Sequence, residues 1–99
     1  MNNAVNFKFS FETDDYEAIH NLMPLLMQKI KKLQRSHQGY RTIEFNIAKP
    51  ARGKKTACLT IHHPDSVVRE DAMDESWEHA IETVFNNADV SAQHTIKLG

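Results

Sequence analysis

The chain has 99 residues, of which 40% are hydrophobic and 25% are charged, with three Gly and three Pro. This composition is typical of one folded domain and argues against disordered, collagen-like or low-complexity architectures. A single Cys excludes an intramolecular disulfide framework, and no apolar run is long enough to cross a membrane. We therefore expect one domain over residues 1–99 in the cytoplasm, with a tail from about residue 90 that is a candidate for disorder.

The formal net charge of −1 is the sum of one basic and two acidic segments. Residues 1–27 carry a net charge of −3, and residues 56–99 carry −6. Residues 28–55 contain nine Lys or Arg against Glu44 alone, which gives +8. Such asymmetry favours anion binding by one face, but oppositely charged segments can also lie side by side and stabilise the fold. The sequence leaves both interpretations open.

Alternation of apolar and polar side chains predicts three strands. Their core-facing positions are Val5, Phe7, Phe9 and Phe11 in the first strand, Ile43, Phe45 and Ile47 in the second, and Ala57, Leu59 and Ile61 in the third. The second and third strands are expected to form a hairpin, because Pro50, Gly53 and four charges between them are typical of an exposed loop. A short, weakly patterned fourth strand is predicted around Val67.

Apolar residues at spacings of three and four predict two helices. The first begins at Asp14, with Glu17 in the position of a capping-box partner, and Pro24 predicts a kink or a restart within it. The second begins near Asp74, and the segment Ala92–Leu98 after it could add a strand. The order βαβββα predicts an α+β fold, in which one mixed sheet is covered on one face by two packed helices.

The patterns that could carry catalysis or hold a metal are weak. Six His are scattered without a His-x-x-x-His or Cys-x-x-Cys pair, so no metal site is predicted. Cys58 lies between apolar residues in a strand and is interpreted as a small buried side chain rather than a nucleophile. Acidic residues concentrate at the start of the second helix, where the helix macrodipole accounts for them. We expect no catalytic residue, no cofactor and no enzyme.

The basic middle segment is the remaining chemical signal. Lys29, Lys32 and Arg35 are three residues apart and therefore follow one side of the first helix. Four further cations belong to the hairpin, namely Lys49, Arg52, Lys54 and Lys55. If both groups lie on one side of the domain, they match a phosphate backbone; otherwise they are a solvated helix face and a solubilising loop. Aromatic stacking of bases is not expected, because the Phe side chains are predicted to face the core.

Two segments of the chain, together with its element order, resemble the ribosome hibernation-promoting factor and ribosome-associated inhibitor family. They are the helix end Lys29-Ile30-Lys31-Lys32-Leu33 and the segment Glu75-Ser76-Trp77-Glu78-His79-Ala80-Ile81-Glu82. In that family the second helix opens with an acidic residue and an aromatic one, followed two residues later by Ala-Ile-Asp or a close variant. The resemblance covers about residues 5–88 and corresponds to a short, divergent form.

The resemblance implies a non-enzymatic, cytoplasmic protein that binds small-subunit rRNA in the tRNA and mRNA channel and inhibits translation in stationary phase. It implies RNA contacts at Lys29, Lys32, Arg35, Lys49, Arg52, Lys54 and Lys55, and no membrane partner. The chain departs from the family at the end of the second helix, where members carry several Lys and Arg and this sequence has Asn86-Asn87-Ala88-Asp89.

A second hypothesis comes from a different functional class. The same fold could act as a protein-binding adaptor that presents the acidic second helix to a basic partner. Its contact residues would be Glu75, Glu78 and Glu82. This hypothesis predicts salt-sensitive binding to a protein and no affinity for RNA.

Overall fold

The computed structural model describes residues 6–36, 39, 41–49 and 53–98. Its elements are β1 (Asn6–Glu12), α1 (Tyr16–Ser36), β2 (Thr42–Ala48), β3 (Lys55–His62), β4 (Val67–Asp74) and α2 (Trp77–Leu98). This order confirms the predicted βαβββα arrangement and the α+β class. β4 is longer than the predicted short strand, and the segment Ala92–Leu98 belongs to α2 rather than to a strand.

The four strands form one mixed sheet in the order β1-β2-β3-β4. β1 and β2 are parallel, and α1 makes the crossover that a parallel pair requires. β2 and β3 form the predicted antiparallel hairpin, with Phe45 opposite Leu59. In the connection between them Gly53 has φ +74°, a left-handed conformation that favours glycine.

Both helices pack on one face of this sheet and bury its alternate side chains, as predicted. β2 and β3 are the central strands, and their inward positions are almost completely buried. The core consists of Leu22, Leu26, Ile30 and Leu33 from α1, Ile43, Phe45, Ile47, Ala57, Leu59 and Ile61 from the sheet, and Trp77, Ala80, Ile81, Val84, Phe85 and Ala88 from α2. In the part of the chain that the structure describes, no helix combines the length and apolar character needed to cross a membrane.

The strand directions make α1 and α2 run the same way across the sheet. β1, β2 and β4 are mutually parallel, so the helices that follow β1 and β4 both start at the carboxyl ends of these strands. Side-chain contacts agree with this direction, because Asp15 and Trp77 line one cleft at the helix starts, whereas Lys32 meets Asp89 further along. Both helix N-termini and the β2–β3 connection therefore share one end of the fold.

α1 is one continuous helix of 21 residues that passes through the exposed Pro24. Its first turn is capped by Asp15, whose Oδ1 accepts the N–H of Ala18 at 3.0 Å. The helix therefore begins one residue later than the prediction that placed the cap at Asp14.

β1 differs from the prediction that its aromatic side chains are buried. These side chains lie on the helix-covered face, yet Phe7 is 39% and Phe9 37% exposed, and Phe11 is only partly buried. The reason is that β1 is an edge strand, and the core beneath α1 and α2 centres on β2 and β3. An exposed aromatic row, spaced by 6.0 and 6.5 Å between ring centroids, follows this edge.

Two neighbouring residues of α1 give a matched test of the core. Leu26 is 1% exposed and Met27 is 44% exposed. We expect Leu26→Ala to lower the free energy of unfolding by about 2–5 kcal/mol, because it removes buried methyl groups and leaves a cavity. Met27→Ala should change it by about 0.5 kcal/mol or less. Urea denaturation followed by circular dichroism measures both, and equal losses would contradict this packing.

Candidate nucleic-acid interface

The three predicted cations of α1 lie along one side of its C-terminal half. Arg35 is exposed, Lys29 is half-buried, and the Lys32 side chain is 62% exposed. The Lys32 ammonium is 3.9 Å from Asp89 Oδ2 on α2. That distance and the exposure make it a weak ion pair, which leaves Lys32 accessible to a second anion.

Two further cations extend this basic surface. Lys31 is exposed on α1, and Arg41 is exposed just before β2, at the same end of the fold as the end of α1. We call the set Lys29, Lys31, Lys32, Arg35 and Arg41 the α1 basic surface. The acidic side chains described at this end are Asp65, in the β3–β4 turn, and Asp89. Cations therefore outnumber carboxylates here.

The hairpin cations lie at the other end of the fold, where the helices begin. Lys49 and Lys54 are exposed and Lys55 is half-buried, whereas Arg52 lies outside the described residues. Along α1, Tyr16 and Lys32 are separated by about 24 Å, from a rise of 1.5 Å per residue. The structure therefore does not bring the hairpin cations together with those of α1 in one cluster.

Lys55 is engaged by the aromatic residue that begins α2. Its ammonium lies 5.2 Å from the ring centroid of Trp77, within the range of a cation–π interaction. The Trp77 Nε1–H donates to the carbonyl oxygen of Ala48 at 3.1 Å, and the residue is 5% exposed. Trp77 therefore holds the base of the hairpin against the start of α2, and Lys55 has a structural partner.

Several carboxylates share this end of the fold with Lys49, Lys54 and Lys55. The acidic residues at this end are Glu12, Asp14, Asp15, Glu17, Asp74, Glu75 and Glu78. Glu75, Glu78 and Asp15 line a cleft of about 280 Å³ together with Lys55. The negative charge at the helix starts thus lies beside the positive charge of the hairpin, whereas the α1 basic surface lies far from it.

The uncovered face of the sheet carries charges of both signs. Lys8, Glu44 and Arg69 belong to one row across the strands. Glu44 contacts the His62 ring, and Arg69 Nε is 3.5 Å from Asp71 Oδ2. Because each cation on this face has a carboxylate nearby, the face is a poor match for a polyanion.

The environment of Cys58, on the same face, disfavours its thiolate form. Burial raises its pKa, and a hydrogen bond to the Asp71 carboxylate and the charge of that carboxylate raise it further. The same hydrogen bond lowers the pKa of Asp71. Among the described residues, no cluster of three or more His, Cys, Asp or Glu is arranged to hold a metal ion.

Similarity to known proteins lies in the fold rather than in the sequence. No family model and no curated protein matches the chain. A ribosomal subunit interface protein from Coxiella burnetii has a TM-score of 0.79 at 12% identity, over 94% of this chain and 99% of that chain. The N-terminal domain of Protein Y from Thermus thermophilus has a TM-score of 0.72 at 16% identity, over 93% and 99%. The chain thus shares one fold with both proteins over nearly its whole length, as the resemblance to the hibernation-factor family implied.

The thiol of Cys58 reports on the open sheet face. We expect Asp71→Asn to lower the pKa of Cys58, because the substitution removes the acceptor and the charge that disfavour the thiolate. Alkylation by iodoacetamide at pH 8 should become faster, by up to about tenfold for a decrease of one pKa unit. Arg69→Gln should slow the reaction, since the Arg69 charge lowers the pKa of Cys58. Unchanged rates in both variants would contradict the contact between Cys58 and Asp71.

Proposed function

We propose that this chain is a short, divergent member of the hibernation-promoting factor family, which binds small-subunit rRNA in the cytoplasm and inhibits translation without catalysing a reaction. The observation that carries the proposal is the α1 basic surface, on a fold that the chain shares over nearly its whole length with a protein named for the ribosomal subunit interface. The match of Trp77 and Ala80-Ile81-Glu82 to the family motif supports the same assignment.

The α1 basic surface is the principal RNA contact in this proposal. Its cations stand on a rigid helix, and the acidic helix starts lie at the far end of the fold. Each contact with a phosphate would release a condensed counterion, which gives affinity without sequence specificity. Lys29, Lys32 and Arg35 are spaced to follow a phosphate backbone along the helix.

The hairpin cations form a secondary contact. Lys49, Arg52 and Lys54 would reach phosphates across the loop, while the neighbouring carboxylates reduce the local positive potential. Lys55 contributes least, since its ammonium already lies over the ring of Trp77. The two groups can contact separate RNA segments, because they lie at opposite ends of the fold.

Charge reversal on α1 tests the proposal. We expect Lys32→Glu with Arg35→Glu to abolish co-sedimentation with small ribosomal subunits in a sucrose gradient at low salt. Lys54→Glu with Lys55→Glu should weaken it less, because several carboxylates already share that end of the fold. In a salt series, the neutral variant Lys32→Gln with Arg35→Gln, which loses two phosphate contacts without adding repulsion, should reduce the slope of log K against log salt by about 1.5.

The matched control reverses two cations on the open sheet face. Lys8→Glu with Arg69→Glu changes the net charge by the same amount and should leave co-sedimentation intact. Binding that persists in both the α1 and the hairpin variants would refute the assignment. Equal loss in the control would show that total charge, and not the α1 basic surface, determines binding.

The adaptor hypothesis retains one supporting observation. Glu75, Glu78 and Glu82 are all exposed, and the last two are one helical turn apart on α2. If a basic protein is the partner, Glu78→Lys with Glu82→Lys should abolish its binding. The same variant should leave small-subunit binding unchanged or stronger, so a gradient run with both double variants separates the two functions.

A further inference from the structure

The free edge of β1 presents an unpaired row of backbone groups. The Asn6 N–H donates to the carbonyl of Arg41 at 3.1 Å, so the even-numbered residues of β1 bond to β2. The N–H and C=O groups of Phe7, Phe9 and Phe11 therefore point away from the sheet. Among the described residues none pairs with this edge.

The same edge carries exposed apolar side chains on the helix side of the sheet. Phe7 and Phe9 are each more than a third exposed, and Met27 on the helix above is 44% exposed. α1 runs antiparallel to β1, so Met27 lies near the start of the strand, close to the level of Phe7. A partner strand at this edge would remove these side chains from water.

The polar side of the strand is self-complementary in charge. Lys8 and Glu12 are exposed and are placed symmetrically about Ser10. Glu12 Oε2 accepts a hydrogen bond from Asn46 Nδ2 at 2.9 Å, and its other carboxylate oxygen can face an ammonium of the copy. An antiparallel copy of β1 centred on Ser10 places Lys8 opposite Glu12 of the copy, twice by symmetry. These are non-hydrogen-bonded positions, at which facing side chains are closest. Phe9 then faces Phe11 of the copy at hydrogen-bonded positions. At these positions the N–H and C=O groups that point away from the sheet bond to those of the copy.

A register shifted by one residue at the centre is less favourable. Centred on Phe9, the pairing would place Lys8 opposite Ser10, with Lys8 and Glu12 of the copy at its two diagonal positions, so no Lys faces a carboxylate directly. The Lys8 side chain is exposed, so its ammonium can turn toward a facing carboxylate of the copy. The charges therefore select the register centred on Ser10.

We propose that two copies of this chain associate through antiparallel pairing of their β1 strands about Ser10, which forms a continuous eight-stranded sheet with two reciprocal Lys8–Glu12 ion pairs. The exposed aromatic rows of both copies meet on the helix side of the joint. This association does not depend on RNA binding, since the α1 basic surface is separate from the β1 edge.

Charge reversal and mixing test both the pairing and its register. Sedimentation equilibrium of the wild-type chain should show a monomer–dimer equilibrium. Lys8→Glu and Glu12→Lys should each weaken it about tenfold, because each places like charges opposite one another at two positions. An equimolar mixture of the two variants should restore association as a heterodimer, since every facing pair is again of opposite charge.

Glu82→Lys is the control, because it changes the charge of an exposed site on α2 away from β1. It should leave the equilibrium unchanged, and circular dichroism melts verify that all variants fold. A wild-type chain that stays monomeric at about 1 mM overturns the proposal and leaves the edge for a different partner. Single variants that associate like wild type, or a mixture that remains monomeric, also overturn it.

Discussion

The burial of one sheet face beneath two helices that run in the same direction is the constraint on which the rest of the structure depends. The chain has a single core, to which α1 and α2 contribute apolar stripes and β2 and β3 contribute their alternate side chains. Because β1, β2 and β4 are parallel, both helices must begin at the same end. The acidic residues that precede and open the helices therefore lie together, and the cations late in α1 lie at the opposite end.

Because of this constraint, the basic segment of the sequence is divided between the two ends of the fold. The +8 segment does not behave as one unit, because half of it belongs to the end of α1 and half to the hairpin. The hairpin cations share their end of the fold with several carboxylates, and Lys55 is held over Trp77. On α1 the Lys32 ammonium lies 3.9 Å from the Asp89 carboxylate and its side chain is still 62% exposed. At the helix starts the oppositely charged segments lie at the same end of the fold, whereas anion binding by the cations of α1 stays a prediction.

The sequence predicted the fold well where local periodicity and burial agree. β2 and β3 are central strands with strict alternation, so their faces follow from the pattern alone. β4 was underestimated because it is an edge strand whose inward positions include Glu70 and Asp74, which weakens the apolar period. The Phe residues of β1 were placed on the right face but were wrongly expected to be buried, since alternation does not distinguish an edge strand from a central one.

The candidate site was less predictable than the fold, because it depends on distances between elements. Helical spacing placed Lys29, Lys32 and Arg35 on one side of α1, but only the helix directions show how far they are from the hairpin. The family-like motif around Trp77 has a structural explanation: Ala80 and Ile81 are completely buried, and Trp77 bonds to Ala48. The motif therefore reflects how α2 packs against the sheet. The cations proposed to contact RNA form no sequence motif of this kind.

The common direction of α1 and α2 also determines how the molecule is oriented by the electric field of a charged partner before contact. The acidic side chains lie at the positive N-termini of the helices, and the basic side chains lie near the negative C-terminus of α1. Each side chain carries a full charge, whereas a helix terminus carries about half a charge. The end of α1 is therefore the positive end of the molecule. The field of a polyanion exerts a torque that turns this positive end toward the polyanion. In dilute salt the torque extends about 30 Å, the length of α1 itself, but at physiological ionic strength only about 8 Å. In dilute salt the protein is therefore oriented while it is still approaching the polyanion. At physiological ionic strength it is oriented only when the two molecules are almost in contact.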